Sequence, residues 1–175
     1  MLLLKITGGS LKNLSMNPPD VPALRPLPQR ERLALFSMLG NVEGSRVVDL
    51  YAGSGIVAFE FLSRGAVEAV GVENNRKLCQ FMRTQAKKWN VNLKVVCEDV
   101  FRFLRRPLEA DYLFMGPPNH KGLVTKTLDA LSAIEFTGIV IIQHSSREPL
   151  PPSVKVLRST GKDESVVDIV KLILD

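Results

Sequence analysis

Residues 46–55 read Arg-Val-Val-Asp-Leu-Tyr-Ala-Gly-Ser-Gly, and this segment is the strongest indication of the fold class. Its first six residues, four of which are apolar, are typical of a buried strand. Gly53 and Gly55 follow, and glycine allows the tight turn by which a strand passes into a helix. A helix is predicted over residues 56–64, with Gly65 at its end. A strand, a glycine turn and a helix in this order are typical of an open parallel sheet.

Apolar runs and helical stretches alternate through the rest of the chain. Strands are predicted at residues 46–51, 68–73, 93–97, 111–115, 138–143, 154–158 and 166–174, and helices at 56–64, 75–89, 100–105 and 123–132. This alternation predicts an α/β fold with a parallel sheet between two layers of helices. Because no helix separates the last two strands, we expect them to form an antiparallel hairpin at the edge of a seven-stranded, Rossmann-like sheet.

Residues 1–40 lack the regular alternation of strands and helices and are interpreted as an N-terminal extension. Two short strands, at residues 2–6 and 11–16, are predicted to pair across a turn at Gly8-Gly9. Closely spaced prolines exclude a helix between residues 18 and 28. A helix is predicted over residues 29–39, and Gly40 suits its end. The chain is thus divided into the extension, residues 1–40, and a second domain, residues 41–175.

The composition is that of a globular protein, since 45% of the 175 residues are hydrophobic and 23% are charged. A chain of this length buries a sizeable core, and disorder is excluded as its main state. Apolar runs such as residues 138–142 are too short to span a bilayer, and the first six residues lack the features of a signal peptide. Cys79 and Cys97 are interpreted as free thiols in a core, as is typical of a cytoplasmic protein.

Acidic residues follow or end three neighbouring strands of the predicted sheet, where ligands of such sheets bind. Asp49 precedes the glycine turn, Glu73 ends the second strand, and Asp99 follows the third. A carboxylate at Glu73 can accept hydrogen bonds from both hydroxyls of a ribose, and Asp99 can meet an adenine amine. The predicted cofactor-binding residues are Asp49, Tyr51, Ala52, Gly53, Ser54, Gly55, Glu73, Asn74, Asp99 and Val100.

Two cofactors compete for this site. Gly53, Gly55 and Ala58 also satisfy the G-x-G-x-x-A pattern of dinucleotide-binding proteins, which makes a nicotinamide-dependent dehydrogenase an alternative. Asp49 argues against it, because a pyrophosphate above this turn would meet a like charge. S-adenosylmethionine carries a sulfonium and an ammonium and has no phosphate. The residues therefore favour S-adenosylmethionine over NAD.

The chain resembles the RsmD-like 16S ribosomal RNA guanine-N2 methyltransferases over nearly its whole length. The matching stretches are Gly8–Lys12, Arg25-Pro26, Arg30-x-Arg32-x-Ala34-Leu35-Phe36-x-x-Leu39, residues 48–55, residues 62–66, Val72-Glu73, Asp99 with Phe103-Leu104, Pro117-Pro118, His144-Ser145 and residues 161–163. The resemblance implies a class I methyltransferase fold, S-adenosylmethionine as cofactor and a guanine in structured small-subunit ribosomal RNA as substrate.

The resemblance places the catalytic motif at Gly116, Pro117, Pro118 and Asn119. The family has an Asp or Asn, two prolines and an aromatic residue here. The acid or amide accepts a hydrogen bond from the amine to be methylated, and the ring stacks on the flipped base. Glycine has no side chain for this, so the Pro117 carbonyl and Asn119 are the candidates for orienting the amine. Two further departures are Leu27-Pro28-Gln29, where the family has two threonines and an Asp, and Gln143, where it usually has Glu.

The net charge of +5 is compatible with a polyanionic partner. The cations predicted to contact RNA phosphates are those of the extension, namely Lys5, Lys12, Arg25, Arg30 and Arg32. His120 and His144 are too isolated to hold a metal ion, so no metal site is predicted. The expected partner is ribosomal RNA or a small-subunit assembly particle, with no membrane and with the chain as a monomer.

The sequence leaves three functions open. The first is methyl transfer to a guanine amine in small-subunit ribosomal RNA. The second, favoured by Gly116, is a catalytically impaired methyltransferase-like protein that binds RNA or S-adenosylmethionine without turnover. The third is the NAD-dependent oxidoreductase, which Asp49 disfavours.

Overall fold

The structure, a computed structural model, describes residues 2–119 and 121–175. In this part of the chain the strands are β1 (Leu4–Lys5), β2 (Ser15–Met16), β3 (Arg46–Leu50), β4 (Glu68–Glu73), β5 (Leu93–Cys97), β6 (Tyr112–Met115), β7 (Ile139–His144), β8 (Val154–Lys162) and β9 (Ser165–Leu172). The helices are α1 (Gln29–Leu39), α2 (Ile56–Ser63), α3 (Arg76–Trp89), α4 (Val100–Phe103) and α5 (Leu123–Ala133).

Seven of these strands form one sheet in the order β5-β4-β3-β6-β7-β9-β8. The five strands from β5 to β7 are mutually parallel, whereas β9 runs antiparallel to β7, and β8 antiparallel to β9. The α/β fold and its C-terminal hairpin are therefore confirmed. β1 and β2 pair separately as the predicted hairpin of the extension.

Side-chain caps fix the start of two helices. The Asn75 side chain accepts a hydrogen bond from the Leu78 amide at 3.1 Å and so caps α3. The Asp99 side chain caps α4 in the same way, and α4 ends two residues earlier than predicted, at Phe103. The hairpin shows the larger difference, since β8 extends to Lys162 and the chain reverses at Asp163, which has a φ of 57°.

Alternate residues of each central strand point into two separate cores. Val47, Phe114 and Ile141 pack on the face that carries α1, α2 and α3, whereas Leu50 and Met115 pack on the face that carries α4 and α5. The extension adds Leu4, Ile6, Met16 and Leu27 to the first of these cores. Residues 1–40 and the sheet therefore bury their apolar side chains together on this face, which we call face 1.

The two cysteines differ in burial, which corrects the expectation that both lie in a core. Cys79 is buried, and its thiol donates a hydrogen bond to the Glu73 carbonyl at 3.1 Å. Burial raises the pKa of the Cys79 thiol to about 12. Cys97 is exposed because it ends β5, the edge strand of the sheet. Among residues 2–119 and 121–175, no helix is both long enough and apolar enough to cross a membrane.

Candidate functional site

The glycine turn after β3 is packed closely by side chains of neighbouring segments, which leave little space for a Cβ at either glycine. Gly55 has a φ of 82°, and a Cβ at this position would lie 2.9 Å from Met82 Sδ and 3.1 Å from a ring carbon of Phe59. Gly53 has a φ of 61°, and a Cβ at this position would lie 3.0 Å from the side chain of Leu24 in the extension. The turn is thus closed towards α3 and covered on its other side by the extension.

Glu73 links the end of β4 to this turn. Its Oε1 accepts a hydrogen bond from the Gly53 amide and its Oε2 accepts one from the Asn75 amide, each at 2.8 Å. Each carboxylate oxygen can accept a second hydrogen bond, so the side chain retains capacity for ligand hydroxyls. Asn74, between Glu73 and Asn75, is exposed at the same edge. The structure therefore brings together the two segments that the sequence predicted to hold a cofactor.

Asp49 is the most unusual residue of the site, because it is a carboxyl group with only 1% of its surface exposed. Its Oδ2 accepts a hydrogen bond from the Ala58 amide in the first turn of α2 at 3.2 Å. Its Oδ1 is buried and has no hydrogen-bond partner within the described residues. Burial raises the pKa of Asp49 well above its usual range, and the charge of Glu73 raises it further, while the Ala58 hydrogen bond opposes both.

An orphaned, buried carboxylate oxygen is costly, so its presence calls for a ligand that supplies a donor or a positive charge. The ammonium of S-adenosylmethionine offers both. A pyrophosphate would offer neither. The buried oxygen of Asp49 therefore fits S-adenosylmethionine better than it fits a dinucleotide.

Asp99 and Val100 lie where β5 leads into α4. Asp99 is exposed, and its Oδ2 accepts hydrogen bonds from the Phe101 and Arg102 amides at 2.9 and 3.2 Å, so that Oδ1 stays available. Val100 is buried in the core beneath it. This arrangement leaves one carboxylate oxygen of Asp99 directed away from the cap, as an adenine amine would require.

Tyr51 connects the glycine turn to α5. Its φ of 57° is unusual for a residue other than glycine. The Thr127 hydroxyl donates to the Leu123 carbonyl at 2.6 Å, so the Tyr51 hydroxyl is the donor in its 2.7 Å hydrogen bond to Thr127. Burial raises the pKa of Tyr51. The hydrogen bond to Thr127 lowers this pKa in part, and the charge of Asp99 raises it further. The ring is thereby fixed against α5, on the face of the sheet that carries α4 and α5.

The predicted catalytic motif begins directly after β6. Gly116 and Asn119 are half-buried, Pro117 is buried and Pro118 is exposed. A Cβ at Gly116 would lie 2.8 Å from the side-chain oxygen of Gln143, at the end of β7. His120, which follows Asn119, lies outside the described residues. The sequence identifies Gln143 as a departure from the family but does not show that it lies near the catalytic motif. The register of β6 and β7 places it beside Gly116.

A buried histidine follows Gln143. The Nδ1 of His144 lies 2.9 Å from the carbonyl oxygens of Ser145 and Glu148, and because carbonyls only accept, Nδ1 carries a proton. Its Nε2 lies 2.6 Å from Oδ2 of Asp168 on β9. This contact fixes the end of β7 against β9. No local sequence pattern indicates this pair, because its members are 24 residues apart.

The basic residues of the extension do not share one environment. Lys5, Lys12, Arg25 and Arg30 are exposed. Arg32 is only 1% exposed, and its guanidinium donates to the carbonyls of Leu27 and Lys5 at 2.5 and 2.8 Å and to Glu60 Oε1 at 3.4 Å. Its position contradicts the prediction that Arg32 contacts RNA; it holds the extension on α2 instead.

The comparisons with known proteins agree with this architecture. The profile of the family described as "Conserved hypothetical protein 95" matches residues 4–170. Ribosomal RNA small subunit methyltransferase D of Buchnera aphidicola subsp. Acyrthosiphon pisum is 31% identical over 130 residues, which make up 72% of this chain and 68% of that relative.

Two solved structures share the fold. That of yhhF from Escherichia coli superposes with a TM-score of 0.87 over 99% of both chains, at 23% identity. That of an S-adenosylmethionine-dependent methyltransferase from Aquifex aeolicus, at 15% identity, gives a TM-score of 0.60 over 82% of this chain and 90% of that one. The sheet is thus that of a class I methyltransferase, and the chain belongs to the RsmD-like methyltransferase family.

Proposed function

We propose that this chain transfers a methyl group from S-adenosylmethionine to the exocyclic amine of a guanine in small-subunit ribosomal RNA. The single observation that best supports S-adenosylmethionine as the cofactor is the buried Oδ1 of Asp49 beside the glycine turn, which has no hydrogen-bond partner within the described residues. The substrate is taken from the relatives named as ribosomal RNA small subunit methyltransferase D.

The residues of this chain bind and orient the reactants. Asp49 receives the ammonium, Glu73 the ribose hydroxyls and Asp99 the adenine amine, while the glycine turn lets the cofactor approach the backbone. When bound, S-adenosylmethionine supplies an electrophilic methyl on sulfonium, which the guanine amine takes up as the neutral thioether leaves and a proton passes to water. Because the lone pair of that amine is delocalised into the ring, positioning and exclusion of water supply most of the acceleration.

The direct test is transfer of labelled methyl groups to unmodified small-subunit RNA made by transcription, both free and in reconstituted particles. We expect N2-methylguanosine after digestion to nucleosides, measured by mass spectrometry. Asp49→Asn should lose transfer because it weakens cofactor binding, whereas Asp129→Asn, at an exposed position of α5, serves as the matched control. Transfer to a different nucleoside only, or to none, would contradict the proposed substrate.

A second function is favoured by one observation, the lack of a side chain at Gly116. In that case the chain binds S-adenosylmethionine and RNA without turnover. Normal binding of both ligands in calorimetry, together with no methyl transfer to free RNA or particles, would establish this alternative. Tight binding of NAD and none of S-adenosylmethionine would contradict both functions.

A further inference from the structure

The region between Gly116 and Gln143 is the place where the chain departs most from the motif expected of it. A Cβ at Gly116 would lie 2.8 Å from Oε1 of Gln143 and 3.5 Å from its Cβ. The side chain of Gln143 therefore extends over the α-carbon of Gly116 and fills the space that a side chain at residue 116 would occupy. The two residues are complementary, because an ordinary side chain at 116 would displace the amide oxygen of Gln143.

The register of the sheet explains this contact. Met115 of β6 lies beside Ile142 of β7, so Gly116 and Gln143 are the next neighbours along the two parallel strands. Alternate residues of a strand share a face. Phe114 and Ile141 lie on face 1, and therefore Gly116 and Gln143, each two residues further on, belong to face 1 as well.

The orphaned oxygen of Asp49 is on the same face. Asp49 lies beside Phe114 in the register, and β3 and β7 are separated only by β6. Two strand spacings amount to roughly 10 Å, and Gln143 is two residues beyond Ile141, the residue of β7 level with Asp49, so the two α-carbons are roughly 12 Å apart. Gln143 is therefore placed within the span of a nucleoside from the Asp49 carboxyl group, on the side of β3 away from Glu73, which lies on β4.

The Gln143 amide is also free to accept and held in position. Within the described residues, its side chain makes no hydrogen bond of its own. Its backbone is fixed on both sides, since Gln143 pairs with Val167 of β9 and the next residue, His144, contacts Asp168, Ser145 and Glu148. A half-buried amide oxygen on a rigid strand is a suitable acceptor for a single N–H group.

We propose that Gln143 is the residue that orients the amine to be methylated, its Oε1 accepting a hydrogen bond from that amine in the space left open by Gly116. This inference rests on the proposed function, since it requires methyl transfer to an exocyclic amine. Oε1 holds the amine in one orientation and keeps its lone pair available. As a neutral amide, it does not take the proton that the amine releases.

The main test compares the kinetics of three variants with those of the wild-type protein, using labelled S-adenosylmethionine and small-subunit particles reconstituted from unmodified RNA. Gln143→Ala should lower kcat about 10²-fold, the effect of removing one oriented polar contact, with little change in KM for the particle. Gly116→Ala should lower kcat as well, since its added Cβ displaces Oε1. Gln80→Ala, at an exposed glutamine of α3, is the control and should leave kcat unchanged.

Recovery of kcat by a second substitution distinguishes an orienting role of Gln143 from a purely structural one. The φ of Gly116 lies outside the left-handed region, so the backbone accepts other residues there. In the double variant Gly116→Asn/Gln143→Ala, the Asn amide takes the vacated space, and we expect kcat to recover at least tenfold over Gln143→Ala. Gln143→Met, which keeps the length of the side chain without its oxygen, should be as slow as Gln143→Ala and covers the case in which Gln143→Ala fails to fold.

The outcomes are distinct. If the wild-type protein methylates the particles and folded Gln143→Ala and Gln143→Met retain its kcat within about threefold, the role of Gln143 is overturned and the proposed function stands. Loss of kcat in both variants with no recovery in the double variant would also overturn an orienting role. If the wild-type protein transfers no methyl group although it binds S-adenosylmethionine, the proposed function fails and this inference fails with it.

Discussion

Arg32 shows how one buried charge can fix the position of a whole segment. Its guanidinium and the side chain of Arg64 both contact Glu60, which is fully buried, and Thr7 donates to the same carboxylate from its amide and its hydroxyl at 2.8 Å. The charge of Glu60 is thus compensated from two helices and from the extension. Such a group is tolerable in a core only while its partners remain.

We therefore expect Arg32→Ala to destabilise the protein by about 3 kcal/mol, because it leaves Glu60 with less compensation and removes the donor that the carbonyls of Leu27 and Lys5 share. Denaturant unfolding would measure this difference. The matched control is Arg30→Ala, which removes an exposed arginine from the same helix and should change stability by less than about 0.5 kcal/mol. Equal stability of the two variants would contradict the structural role of Arg32.

Asp49 should make both stability and cofactor binding depend on pH. Burial raises its pKa in the folded protein, so its contribution to stability is present below the pKa of the unfolded chain and is lost as pH rises through the folded-state value. Asp49→Asn replaces the ionisable carboxyl group by a neutral amide, so the variant does not lose this stability as pH rises. The ligand-free variant should accordingly be more stable than the wild-type protein at about pH 7, with a difference that shrinks towards about pH 4.

Folding favours the protonated form of Asp49, whereas binding of S-adenosylmethionine favours the ionised form, because the ammonium of the ligand stabilises the carboxylate. The affinity of the wild-type protein for S-adenosylmethionine should rise with pH until Asp49 is ionised, and calorimetry in buffers of different ionisation enthalpy should detect proton release. Asp49→Asn should bind more weakly and release no proton from this group. A pH-independent affinity in the wild-type protein, equal to that of the variant, would rule out contact between Asp49 and the ammonium.

At the scale of elements, two helices begin at a glycine in the left-handed conformation, which provides a matched pair of substitutions. Gly55 precedes α2 with a φ of 82° and Gly122 precedes α5 with a φ of 66°. A Cβ at Gly55 would collide with Met82 and Phe59, whereas a Cβ at Gly122 would meet nothing within 4 Å. Gly122→Ala should thus cost only the backbone strain, about 1–2 kcal/mol.

Gly55→Ala should cost more than Gly122→Ala in denaturant unfolding, because it adds the displacement of two core side chains to the same strain. It should also weaken S-adenosylmethionine binding, since it moves the glycine turn, while Gly122→Ala leaves the affinity unchanged. Equal losses of stability, with unchanged affinity in both variants, would show that the contacts around Gly55 do not shape the turn.

The sequence predicted those elements whose signals are local. β4 and β5 have the predicted bounds because each is an apolar run between polar segments, and α1 begins after Pro28 and ends before Gly40 as expected. β8 was predicted too short because most of its residues are exposed, so that its polar end carries no apolar alternation.

Contacts between distant segments could not be predicted in this way. The burial of Arg32 depends on Glu60, 28 residues away, and nothing in the pattern of α1 distinguishes it from the exposed Arg30. The approach of Gln143 to Gly116 depends on the register of β7 against β6. The cofactor residues were more accessible to sequence reasoning, since parallel strands bring their carboxyl ends to one edge whatever the register.

If the chain methylates RNA as proposed, its net charge of +5 raises the question of which cations would contact the phosphates. Removing the extension would not answer it. Leu4, Ile6 and Met16 are buried in the core of face 1, and deletion of residues 1–16 would expose that core and destabilise the fold. Substitution of exposed cations avoids this problem, because it changes charge without removing packed side chains.

We expect RNA affinity to depend on the position of the charges rather than on their sum. The variant Lys12→Gln/Arg30→Gln and the control Lys155→Gln/Lys171→Gln, on the C-terminal hairpin, both replace exposed cations and lower the net charge from +5 to +3. If Lys12 and Arg30 contact phosphates, the first variant makes the plot of log affinity against log salt shallower by about 1.5, because two fewer counterions are released. The control should leave the slope near that of the wild-type protein. Equal slopes in the two variants would show that the extension does not carry the RNA contacts, whereas a larger change in the control would move them to β8 and β9.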